Sequence, residues 1–140
     1  RMKLTNHPMP AFLLALAIAL ISASCSSDPA RRFGLSGLAG GEAEQLLLAG
    51  IGHYEDGSYD TAVTELRAAL GVGLIFRSDR VRAWKYLAFI HCTSGRTRLC
   101  REAFGQALAL DPGFELSRAE EGHPMWGPVF AAAKAARRPR

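Results

Sequence analysis

Histidine and cysteine are scarce in this 140-residue chain, with four of the first and three of the second. No C-x2-C or H-x3-H pair occurs. His91, Cys92 and Cys100 without such a pair do not make a zinc site, so no metal is expected. A Gly-rich phosphate loop is also missing, because Gly40-Gly41 stands alone in a linker-like stretch, and no cofactor is expected. Neither a Ser-His-Asp nor a Cys-His arrangement is visible, which argues against an enzyme. Glu55, Asp56 and Asp60 cluster, but they bracket a helix turn and read as a solvated face. Charge of one sign is not in large excess: 17 Lys+Arg against 13 Asp+Glu gives +4. That surplus is too small and too scattered to point to nucleic acid. Only one stretch is continuously apolar, which excludes a polytopic membrane protein. The 49% apolar and 21% charged composition excludes disorder and collagen, and the length suits a single domain.

That one apolar run is Ala11–Ile21, preceded by Arg1 and Lys3 and followed by Ser22-Ala23-Ser24-Cys25. A membrane span needs about 20 apolar residues. A basic start, a short apolar centre and small residues at the end describe a secretory signal over residues 1–24. A small residue directly before Cys25 resembles a bacterial lipobox, with Cys25 acylated after cleavage. Ser22-Ala23-Ser24 also suits an ordinary signal peptidase. Ser26 follows the cysteine where an Asp would retain the protein at the inner membrane, so an outer-membrane destination is favoured. Ser26–Gly41, rich in Gly and Ser, reads as a flexible linker. The expected folded domain spans residues 42–138.

Within it, Leu46, Ala49, Gly50, His53, Gly57, Ala62, Leu66 and Ala69 find counterparts 38 residues on. These are Trp84, Leu87, Ala88, His91, Gly95, Cys100, Phe104 and Ala107. The order resembles the tetratricopeptide repeat. Small residues at 50, 62, 88 and 100 let paired helices approach, Gly50 and Ala88 facing Ala62 and Cys100. Gly57 and Gly95 make the turns. The pattern predicts an all-α fold with helices at 43–56, 59–71, 79–94, 97–110 and 128–138. It contains two tetratricopeptide-like hairpins and a C-terminal capping helix. The repeat exceeds the usual length by four residues, placed in Gly71–Arg80. There Leu74, Ile75 and Phe76 are expected to plug the core, with Ser78 or Asp79 capping the next helix. Ser117-x-x-Glu120 has the spacing of a capping box, and Pro128 suits a first helical turn. The last helix, with Trp126, Val129 and Phe130, is expected to cover the exposed end of the repeats.

Cys92 and Cys100 flank the second hairpin turn. In an oxidising compartment such a pair closes into a disulfide, the alternative being two buried thiols. The C-x7-C spacing does not suit a redox dithiol. If the first helix of each hairpin lines the inner side, Glu44, Leu47, Ile51, Tyr54 and Glu55 lie beside Arg82, Lys85, Phe89 and Thr93. Such a groove suits a peptide or helix of a partner protein, the alternative being that the same residues cover the core or meet the C-terminal cap. Trp126 either anchors the last helix or offers an exposed hot spot. The expected partner-binding residues are Tyr54, Arg82, Lys85, Phe89 and Trp126.

The signal, Cys25, the two repeats, Ala88-Phe89-Ile90-His91-Cys92, Cys100-Arg101-Glu102-Ala103-Phe104, Asp111–Leu116 and Gly122–Phe130 together resemble the TssQ family of lipoproteins. That family is associated with type VI secretion in Gram-negative bacteria. The resemblance covers most of residues 43–130. It implies a non-enzymatic accessory lipoprotein at the periplasmic face of the outer membrane. Its partners would be proteins of the secretion envelope complex. The repeats alone suit equally a general periplasmic adaptor or assembly lipoprotein for outer-membrane protein or pilus biogenesis.

Overall fold

The computed structural model describes residues 41–137, and among them every regular element is helical. The expected signal at 1–24, Cys25, the linker through residue 40 and the tail at 138–140 lie outside the described residues. The helices are α1 (Glu42–Glu55), α2 (Tyr59–Val72), α3 (Arg77–Thr93), α4 (Thr97–Leu110), the one-turn α5 (Arg118–Glu121) and α6 (Gly127–Ala135). Among the described residues, no helix is long and apolar enough to cross a membrane.

Apolar residues at helical spacing set the pairing. α1 buries Ala43, Leu47, Gly50 and Ile51, and α2 buries Ala62, Leu66 and Ala69. These stripes face each other, making the first hairpin; α3 and α4 make the second, and α2 and α1 both pack against α3. Being central, α3 is covered nearly all round in its second half, from Leu87 to Cys92.

The repeat extends to individual backbone bonds. Ser58 N–H donates to the His53 carbonyl at 2.8 Å, and Gly57 N–H to Tyr54 at 3.0 Å. Thirty-eight residues later, Arg96 N–H donates to His91 at 2.8 Å and Gly95 N–H to Cys92 at 3.0 Å. This is the paired bonding of a Schellman turn, which requires a left-handed residue. Gly57 and Gly95 supply it at φ 77° and 71°. Close approach within the first hairpin occurs at Gly50. A Cβ there would lie 2.8 Å from Leu66 Cγ and 3.1 Å from the Leu66 backbone nitrogen. Gly50 thus meets Leu66, one turn beyond the expected Ala62, which is itself fully buried.

Two expectations for the inter-hairpin segment are corrected. Leu74 is buried, but Ile75 and Phe76 are 75% and 63% exposed, so only the first plugs the core. The helix also starts earlier than expected. Phe76 is its N-cap residue, its carbonyl accepting from Arg80 N–H at 3.2 Å. That places Ser78 and Asp79 inside the first turn, where Asp79 complements the helix dipole instead of capping.

The capping box at α5 forms as its spacing implies. Glu120 N–H donates to Ser117 Oγ at 3.3 Å, and Ser117 N–H donates to the Glu120 carboxylate at 2.9 Å. α6 covers the outer end of the repeats by packing on α4. Phe130 meets Phe104 with ring centroids 5.2 Å apart and Phe114 at 5.5 Å. Lys134 pairs with Glu115 across the same junction.

Candidate protein-docking site on the inner face

Arg82, Lys85, Tyr86 and Phe89 recur at three- and four-residue steps along α3, so one face of that helix carries them all. α1 brings Tyr54 to this face. The Tyr54 ring lies 5.1 Å from Tyr86 and 6.3 Å from Phe89, and Tyr59 from the start of α2 adds a third tyrosine 5.9 Å from Tyr54. Tyr54, Tyr59 and Tyr86 are half-buried and Arg82 is exposed. Leu47 and Ile51, expected in the groove, are core residues beneath it. Thr93 is half-buried, its hydroxyl donating to the Phe89 carbonyl at 2.9 Å.

The other end of the face is closed by the chain itself. Trp126 stacks on Phe89 at 4.4 Å, and His123 stacks on the outer side of Trp126 at 3.4 Å. Phe89 is 2% exposed and Trp126 8%. Both are core residues in this structure, which corrects the expectation that they offer an open docking surface. Of the two alternatives for Trp126, the anchoring role matches its burial. The physical reason is that a stacked ring pair removes apolar area from water without needing a partner, provided the indole N–H is satisfied. Trp126 Nε1 donates to the Glu120 carbonyl at 2.8 Å.

Glu120 organises this closure and was visible in the sequence only as half of a capping box. Its carboxylate accepts from Lys85 Nζ at 2.6 Å as well as from Ser117 N–H. Burial pushes the Glu120 carboxyl upward, but the bonds from Lys85 and Ser117 outweigh it and hold the group below its ordinary value. Lys85 is thereby committed to Glu120, and its ammonium also lies 4.9 Å from the Tyr86 centroid and 5.5 Å from that of Phe89. Burial, then the neighbouring Tyr59, Tyr86, Glu120 and Glu55, raise the Tyr54 phenol above its usual range, so Tyr54 stays neutral.

Cys92 and Cys100 are joined by a disulfide, with sulfurs 2.04 Å and Cα atoms 5.2 Å apart. The bridge ties α3 to α4 beside the second turn, and both residues are buried. Next to it, His91 is 5% exposed, and its Nδ1 has no hydrogen-bond partner. Burial, then the positive charges of Arg96 and Arg67, hold the imidazole below its ordinary value, while Glu102 opposes them. Among the described residues, no group of three or more His, Cys, Asp or Glu side chains could hold a metal ion.

The accessible part of the site is thus a rim of Tyr54, Tyr59 and Tyr86 with Arg82 one turn away. Such a surface offers aromatic area at low entropic cost together with phenolic and guanidinium donors. Aromatic and arginine side chains of this kind are enriched at protein interfaces. No family model, curated protein or solved structure matches this chain.

Proposed function

We propose that this protein is a non-enzymatic outer-membrane lipoprotein. Its periplasmic helical-repeat domain docks a protein of the type VI secretion envelope complex and supports assembly of that complex. The observation that carries the docking role is the half-buried tyrosine rim with Arg82 on the inner face of two stacked hairpins. Aromatic and arginine side chains are the ones that dominate protein interfaces. The export signal and lipobox-like Cys25 support the anchored location, and the block from Cys92 to Phe130 supports the secretion assignment.

The test is affinity capture from detergent-solubilised envelopes, with co-purifying proteins identified for the wild type and for Tyr54→Ala/Tyr86→Ala. Secretion envelope proteins captured by the wild type and lost with the double variant are expected. Capture of outer-membrane-protein or pilus biogenesis factors would favour the general adaptor. Capture unaffected by the double variant would contradict docking at the rim. Cys25→Ala is expected to release the protein from membrane fractions, and continued membrane association would contradict the lipid anchor.

A further inference from the structure

The α2–α3 turn exposes large apolar side chains without a covering element. Ile75 is 75% exposed, Phe76 63%, and Val72, at the end of α2, 54%. Leu48, also exposed, lies one helical turn from Glu44, whose carboxylate accepts from Ile75 N–H at 3.4 Å. That bond ties the turn to the start of α1. The antiparallel hairpins therefore place the apolar turn at the same end as Gly41, where the chain from Cys25 joins the domain. Sixteen residue steps separate Cys25 from Gly41, a reach of at most about 55 Å.

We propose that the Val72–Phe76 turn is a second membrane contact, inserting Ile75 and Phe76 into the interfacial layer of the bilayer to which the chain is anchored. This rests on the lipid-anchored reading of Cys25. A short turn with two adjacent exposed apolar side chains suits insertion among lipid headgroups better than the interlocking of helices. Exposed Arg77 follows the turn, and Glu42 and Glu44 lie at the start of α1, so apolar insertion carries the contact and anionic lipid is not required. With the turn in the membrane, the Tyr54–Tyr59 rim lies at the opposite end of α1. Ten residues of α1 separate Glu44 from Tyr54, which puts that rim about 15 Å away, facing the periplasm. The lipid holds the domain at the membrane, and the turn orients it.

Phe76→Trp in the full chain, reconstituted in phosphatidylethanolamine vesicles with a minority of phosphatidylglycerol, tests the proposal. Acyl-brominated lipid is expected to quench the emission added by the new tryptophan roughly two-fold or more, relative to unbrominated vesicles. The wild-type signal of Trp84 and Trp126 is subtracted. Adding Ile75→Asp is expected to abolish the quenching while leaving the helical circular dichroism unchanged. No lipid quenching would overturn the proposal. So would emission already shifted to the blue before vesicles are added. In that case, dependence on protein concentration would indicate a second copy on the turn, and independence would indicate the chain's own residues 26–40. Intact mass reports acylation of Cys25 separately, so failure of the anchor is distinguishable from failure of the turn.

Discussion

Gly50→Ala and Gly105→Ala make the same chemical change in two helix interiors and are expected to act in opposite directions. In a helix, Ala is favoured over Gly by about 0.8–1 kcal/mol. At Gly105 a new Cβ meets nothing within 4 Å, so the substitution gains that preference, and the variant should be stabilised by about 0.5–1 kcal/mol. At Gly50 the new Cβ would lie 2.8 Å from Leu66 Cγ and 3.1 Å from its backbone nitrogen. The leucine is completely buried, and its backbone nitrogen cannot swing aside as a side-chain end could. Overpacking of this kind costs about 1–3 kcal/mol, which exceeds the propensity gain. Gly50→Ala should therefore be destabilised by up to about 2 kcal/mol, and Gly50→Leu by more. In a domain of this size, 1 kcal/mol corresponds to about 4–8 °C in Tm. Thermal and urea unfolding of both variants, with Leu66→Ala added to close a double-mutant cycle, measures the effect. The cycle should show that Leu66→Ala costs less in the Gly50→Ala background, because the two side chains compete for one space. Equal stabilisation by Gly50→Ala and Gly105→Ala would refute the close approach of α1 and α2.

Three further outcomes follow from the same contacts. Replacing Cys92 and Cys100 together by Ser should lower stability by up to about 2–3 kcal/mol through the short closed loop, with the helical signal retained below the new Tm; an unchanged Tm would show that the bridge contributes nothing. Burial holds His91 below its ordinary 6.5, so between the two values the unfolded chain binds more protons than the folded one. Stability is then complete above 6.5 and declines as pH falls toward the folded value, and His91→Leu should flatten this branch in urea titrations; an equal pH dependence in the variant would contradict the assignment. Glu120 is likewise held below its ordinary 4.5, so its contribution is present above that value and is lost as pH drops through the lower folded one. Glu120→Gln should weaken the Lys85 contact at neutral pH and reduce the loss of stability on acidification; Trp126 fluorescence that is unchanged in the variant would show that the closure does not depend on the carboxylate.

The repeat was legible because its signals are local and recur. Gly57 and Gly95 mark the same turn twice, and the apolar spacing around Leu66 and Phe104 marks the same buried stripe. The disulfide was legible because both cysteines flank that turn. The site was legible in part. Arg82, Lys85 and Phe89 share a face of α3, as their spacing requires, and Tyr54 comes to that face from α1. Cover by the C-terminal cap was one of the open alternatives, but the specific stack of Phe89 on Trp126 was not legible, since the two are 37 residues apart and nothing in either neighbourhood encodes it. Glu120 showed its capping role through a three-residue spacing, whereas its bond to Lys85 depends on how α5 folds back over α3. Ile75 and Phe76 misled because apolar character alone does not say which way a turn points them. α3 begins directly after them at Arg77, and both remain exposed.

The tyrosine rim as the docking surface is tested most directly by photo-crosslinking in living cells. A benzoylphenylalanine is placed at Tyr86 and, as a control, at the exposed Arg67 on α2. A discrete crosslinked species containing a secretion envelope protein is expected from position 86, and none from position 67. Crosslinking from position 67 alone, or from neither position in cells with an assembled secretion system, would contradict docking at the rim.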